Sequence, residues 1–235
     1  MNQNKNILQV NVDSCDEASL SQITHEYFLD QSMRMIYFVD AATCVKNVSN
    51  QKLHEALEMA DMRVASDKEL QKQTGYRINA VTYFEAVADI VLHQGLEVVI
   101  LTRSEREAEE GNRILRKRYP YMNLKILSVE ASGNSYDILA NEINSLAPDL
   151  LMIGIDAEEQ GNLVYEYRGK INAKVCVCLG ETLDDVMDSN REIPGFIQKL
   201  HMECFYLWIK RRNKLHTIIA RIQLRKMLRA EKSKK

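Results

Sequence analysis

The chain predicts an α/β fold: a Rossmann-like, mostly parallel sheet with helices on both faces, plus a helical basic C-terminal extension. Three observations carry this. Short β-branched apolar runs alternate with segments whose apolar residues recur three and four apart, the βαβ pattern of a sheet covered on both sides. The composition, 46% hydrophobic and 27% charged over 235 residues, is that of a globular chain long enough to bury a proper core. Charge is also segregated: residues 210–235 hold eleven Lys/Arg against one acid, Glu231, a net of +10, while 1–209 are net −12.

Taken in order, 7–12 predicts a strand and 17–29 a helix, followed by a strand at 35–39, a helix at 53–60, a strand at 62–65 and a helix at 80–93. The stretch 96–179 is the most regular. Strands are expected at 96–101, 124–129, 150–155 and 173–179, with helices at 105–118, 135–146 and 158–168 between them. Such a unit binds its ligand at the carboxyl ends of its strands. After Pro194 the strand signal stops, and helix-forming sequence continues, first apolar and aromatic, then basic. This divides the chain into an α/β domain, 1–194, and a helical basic appendage, 195–235.

Several chemistries lack support in the sequence. The five cysteines are odd in number and scattered, and Cys176-Val177-Cys178 reads as a buried strand in preference to a chelating pair. The five histidines are isolated from one another, so neither a metal nor a zinc hydrolase is expected. Neither a G-x-G-x-x-G nor a G-x-x-x-x-G-K-[ST] motif occurs, which argues against a nicotinamide dehydrogenase or a P-loop nucleotidase. No cofactor is expected. The start, MNQNKNILQV, has no signal-peptide core, and no apolar run approaches the roughly 18 residues of a membrane span. A cytoplasmic location is the expectation.

The strand ends direct attention to Asp40, Asp67, Thr102, Arg103, Gly154, Asp156, Gly180 and Glu181. Asp67 puts a carboxylate at the mouth of the sheet, where it would serve as a general base or a cation ligand, or would cap the helix beginning at Lys68. Thr102-Arg103-Ser104 stands where a phosphate-binding turn is expected, with Ser104 as a helix cap the competing reading.

Taken together, several segments resemble the WecB/TagA/CpsF family of bacterial glycosyltransferases over nearly the whole chain. They are 7–13, Ala60-Asp61 with Ser66-Asp67, Gly75-Tyr76-Arg77, Arg118-Tyr119-Pro120, 148–154, Glu159, Gly180 and 194–203. The resemblance implies transfer of N-acetylmannosamine or a related sugar from a UDP donor to an undecaprenyl-diphosphate-linked acceptor. It implies that Asp67 is the catalytic base, with Lys68 replacing the family's glycine, and that Arg77 is the arginine before a helix, with Ala80 in a glycine's place. In the family's G-x-P-x-Q-E turn, Gly154 and Glu159 are retained, while Asp156 and Glu158 replace proline and glutamine. Thr102 and Arg103 stand for strand-end glycines, and Phe38 and Asp40 for a threonine and an asparagine. The substrate-binding set implied is therefore Asp40, Arg77, Thr102, Arg103, Gly154, Asp156, Glu159 and Gly180.

Side chains in place of glycine obstruct a diphosphate, and the added acids repel it. Either the donor differs, or the chain is a non-catalytic member that positions a partner transferase or a lipid-linked glycan.

The family's C-terminal extension is rich in arginine and aromatics and is thought to dock on the membrane and close over the active site. The tail here is similar: Phe205, Tyr206, Trp208 and Ile209 suit the headgroup level, and Lys210, Arg211, Arg212 and Arg221 suit lipid phosphate or a lipid diphosphate. This implies a protein peripheral on the inner face of the cell membrane. The other readings of the tail are a solvated basic helix, or an amphipathic helix packed on a partner or on the acidic body. Nucleic acid is not an expected partner, because the body is acidic and carries no recognised module. A homo-oligomer is left open.

Overall fold

The structure, a computed structural model, describes residues 4–76, 78–189 and 214–232. The first apolar run departs from expectation. It forms a two-stranded antiparallel hairpin, β1 (Lys5–Ile7) and β2 (Val10–Val12), and no strand of the main sheet. Leu8 and Gln9 turn at φ 47 and 67, the left-handed pair that closes a two-residue hairpin with the right twist. Beyond it Asp13 and Arg63 exchange hydrogen bonds: the Asp13 N–H reaches the Arg63 carbonyl at 2.7 Å and its Oδ2 accepts the Arg63 N–H at 2.7 Å. The hairpin therefore lies along the first edge strand, where unpaired backbone would otherwise face water.

Helix α1 (Glu17–Tyr27) follows, capped by Asp16, which accepts the Ser19 N–H at 2.8 Å. Next come β3 (Arg34–Val39), α2 (Ala41–Asn47), α3 (Gln51–Glu58), β4 (Met62–Ala65), α4 (Lys68–Thr74) and α5 (Ala80–Gln94). The regular unit is β5 (Glu97–Thr102), α6 (Glu105–Arg118), β6 (Asn123–Ser128), α7 (Tyr136–Leu146), β7 (Leu150–Ile153), α8 (Ala157–Tyr167) and β8 (Val175–Cys178). It is followed by α9 (Thr182–Ser189), and the last helix described, α10, spans Lys214–Lys232. Helices α2, α4 and α9, of seven, seven and eight residues, have no counterpart among the expected helices.

Six strands form one parallel sheet in the order β4-β3-β8-β7-β5-β6. Alternate residues divide between two cores. Met35, Tyr37, Val39, Leu151, Ile153, Cys176 and Cys178 point to the side covered by α2, α3, α7, α8 and α10. Ile36, Phe38, Val98, Ile100, Met152, Val175 and Val177 point to the side covered by α1, α5, α6 and α9. The C-x-C pair thus lies inside the first core, and burial raises the Cys178 thiol far above its ordinary range. The doubly covered parallel sheet is the expected fold class.

α10 packs against α2 and buries Ala220 and Leu224 in the first core. Of the readings open for the basic segment, packing on the acidic body describes this part of it. The proposed 194/195 boundary lies outside the described residues.

Candidate functional site

The loops after β5 and β7 part company at the carboxyl end of the sheet, since β5 runs on to the edge strand β6 and β7 to the central strand β8. Such a divergence opens a crevice in a parallel sheet.

Beside it, Ser66 ties the ends of β4 and β3 together: its N–H and Oγ donate to the Val39 carbonyl at 2.9 and 3.0 Å. That bond sets Asp40 and Asp67 side by side. Asp40 caps α2, accepting the Thr43 N–H and hydroxyl at 2.7 Å each. Burial holds its carboxyl above the usual range despite those bonds, and the Asp67 charge adds to the shift. Asp67 is 3% exposed. One oxygen accepts the Glu69 N–H at 2.7 Å, capping α4, and the other accepts the Arg221 Nε–H at 2.6 Å. The cap read from the sequence is therefore present, and a guanidinium from α10 has been added to it.

Arg221 does not act alone. Thr217, Arg221 and Arg225 are four residues apart, so one face of α10 carries all three. Thr217 donates to Glu181 at 3.2 Å, and Arg225 grips Glu69 with two nitrogens, its Nε at 3.0 Å. The hydrogen bonds from Arg225 hold the Glu69 carboxyl down to about 2, with burial opposing them. Docking of α10 is consequently favoured at any pH above the ordinary glutamate range and weakens as pH falls through that range toward 2. Glu69→Gln is expected to lower the melting temperature at pH 7 and to match the wild type near pH 2. A difference that persists at low pH would place the stabilisation elsewhere.

At the crevice itself, after β7, Asp156 caps α8, accepting N–H groups of Glu158 at 2.9 Å and Glu159 at 3.3 Å, with Lys46 Nζ at 3.4 Å. Burial opposes its ionisation, but these bonds and the lysine together hold its carboxyl below the usual range. Its charge is thus locally compensated, which weakens the expected repulsion of a diphosphate. Glu159 is less fully compensated. Burial and then Asp156 raise its carboxyl, Arg103 and Lys46 oppose the rise, and its Oε2 is buried with no hydrogen-bond partner.

The remaining candidates fall into different places. Thr102 is buried at 3% exposure and donates to the Leu127 carbonyl at 3.1 Å, closing β5 onto β6. Arg103 is exposed, and its backbone N–H goes to Glu107 at 3.1 Å as part of the Ser104 capping box. Gly154 is filled from above, since a Cβ there would stand 2.0 Å from Leu183 Cδ2. Gly180 turns left-handed at φ 56. Arg77, Trp208, Lys210, Arg211 and Arg212 lie outside the described residues. Arg221, expected at lipid phosphate or a lipid diphosphate, lies on Asp67 because Ala220 and Leu224 seat α10 on α2 and turn its 217/221/225 face toward the strand ends. Lys46, Glu69 and Arg225 were missed by sequence reasoning. The spacing of 217, 221 and 225 was the one available signal. Among the described residues no three His, Cys, Asp or Glu side chains converge as a metal-ligand set.

Compared with known families, the chain matches the model described as the Glycosyl transferase WecG/TagA/CpsF family over residues 5–234. No curated protein matches it.

Proposed function

This chain belongs to the WecG/TagA/CpsF family of glycosyl transferases, and from that premise we propose that it moves an N-acetylmannosamine-like hexose from a UDP-sugar to an undecaprenyl-diphosphate-linked acceptor in cell-surface polysaccharide or teichoic-acid-type assembly. The observation that carries the reading is the meeting of Asp67 with Arg221 at the strand ends, 2.6 Å apart. It joins a carboxylate suited to proton abstraction and a cation suited to a departing diphosphate. In an inverting displacement the acceptor hydroxyl oxygen bonds to the anomeric carbon while Asp67 takes its proton. The bond from that carbon to the UDP oxygen breaks, and its electron pair leaves on the diphosphate. Arg221 and Arg225 face that charge in place of a metal ion. Before that step Arg221 exchanges Asp67 for a phosphate oxygen of the bound donor, and the exchange frees the base.

The same helix supports a peripheral location on the inner leaflet of the cell membrane. With α10 docked, Ile218, Ile219 and Ile222 remain about half exposed beside Lys226 and Arg229, an apolar and basic surface suited to anionic headgroups. No described helix is long and apolar enough to cross a membrane.

The test uses vesicles of neutral and of anionic lipid carrying the polyprenyl-diphosphate-linked acceptor, with a labelled UDP-sugar. Label should enter the lipid fraction, and the protein should float with anionic vesicles in a salt-sensitive manner. Absence of both UDP-sugar binding and transfer would favour the second reading, a non-catalytic member that positions a partner transferase or a lipid-linked glycan. The observation behind that alternative is Leu183 occupying the space over Gly154.

A further inference from the structure

We propose that Gln160 is a positioning residue for this reaction: its buried amide sets the turn after β8 and, through that turn, both the crevice wall and the seat of α10. The inference rests on the transferase reading above. Gln160 sits on α8 and is 1% exposed, a polar side chain in a region otherwise filled by apolar groups. Such a group is costly to bury unless it is hydrogen-bonded. Its Oε1 accepts the Gly180 N–H at 3.1 Å, whereas the hydroxyl of fully buried Tyr37, on β3, has no hydrogen-bond partner. One side chain thus bridges α8 and the end of β8 near the middle of the sheet.

The fold does not need this bridge to satisfy Gly180. The Gly180 N–H already reaches the Ile153 carbonyl at 3.1 Å, so the second acceptor adds direction to a bond that exists without it. Direction matters at this position. Gly180 stands at φ 56, and a Cβ there would meet only the Ile155 carbonyl oxygen at 3.8 Å, so the glycine serves the turn's left-handed backbone and not a tight contact.

Two contacts depend on where the turn then goes. Glu181 receives the Thr217 hydroxyl at 3.2 Å and so anchors the face of α10 that carries Arg221. Leu183, three residues after Gly180, lies over Gly154 at the end of β7. A turn that swings loose misplaces the arginines above the crevice and the wall below them. Gln160 touches neither substrate nor reacting atoms, and it acts through Gly180.

The experiment compares wild type, Gln160→Met, which keeps volume and removes the acceptor, and Gln160→Glu, which restores it. For Gln160→Met we expect kcat/KM for the UDP-sugar to fall about ten- to a hundredfold, in line with displacement of a site by an ångström or less, while the melt stays close to wild type. Gln160→Glu should recover most of the loss. Hydrogen exchange should quicken in 179–184 and 214–232 of Gln160→Met and stay unchanged in α5. Wild-type turnover with a Gln160→Met value within twofold of it overturns the inference, as does a loss that merely tracks the melting temperature or that Gln160→Glu fails to recover. A wild type without turnover or UDP-sugar binding overturns the transferase reading instead. Exchange then decides for Gln160, and unaltered rates at 179–184 and 214–232 overturn its role.

Discussion

Asp67→Asn is expected to lower sugar transfer by about 10²- to 10⁴-fold, the usual worth of a positioned general base, while the protein stays folded. The fold should survive because asparagine keeps the oxygen that accepts the Glu69 N–H, and asparagine and aspartate are nearly equivalent helix caps. What is lost is the negative charge that takes the proton and holds Arg221. Because the carboxylate side chain is 2% exposed, no water stands ready to replace it. Turnover and a thermal melt measured together decide the matter. Full turnover with a normal melt would remove Asp67 from the chemistry and leave it as a cap alone.

Gly154→Ala carries the second large effect, and it falls on stability. The new Cβ would lie 2.0 Å from Leu183 Cδ2, 2.7 Å from its Cβ and 2.9 Å from its Cγ. Rotating the leucine clears the tip of the side chain but not its Cβ, so α9 itself must move. Overpacking of this kind costs about 1–3 kcal/mol, a fall of about 2–4 °C in melting temperature for each kcal/mol in a chain of this size. Leu183→Ala is also destabilising, because it opens a cavity, but the two substitutions together should cost less than their sum. Strict additivity would show that the two residues do not press on each other.

This glycine marks where the reading of the sequence stopped. A glycine at a strand end suggests room for a ligand. What occupies the room is a leucine from α9, a helix absent from the expected elements. The long periodic segments behaved differently: α6 spans 105–118 as expected, and each strand of the regular unit falls within two residues of its predicted place. Their apolar residues report two faces of burial, and burial is what composition and spacing encode. The 7–12 run shows the limit of that signal, because its apolar residues are equally consistent with a strand or with two halves folded back at Leu8 and Gln9.

Within the site, Asp67 and Asp156 were legible as carboxylates at strand ends, and so was the helix cap at Asp67; the cap at Asp156 came from the structure alone. Their counter-charges were not legible. Arg221 and Lys46 lie 154 and 110 residues away from them in sequence, and only tertiary packing brings such partners together. The buried bridge of Gln160 was hidden for a similar reason, since one glutamine in an acidic helix start looks like solvated surface.

The strand order has a further consequence, for the sequence of events in folding. β8 pairs with β3 on one side and β7 on the other, and β3 and β7 share no bond. Before β8 is made, the strands available can pair only as β4-β3 and β7-β5-β6, each with an unpaired inner edge. β8 is the keystone that joins them, and contacts so distant in sequence form slowly. Asp67 belongs to the first half and Asp156 to the second. The two carboxylates therefore share no sheet in any shorter nascent chain, and they come onto one sheet end in the step that completes it.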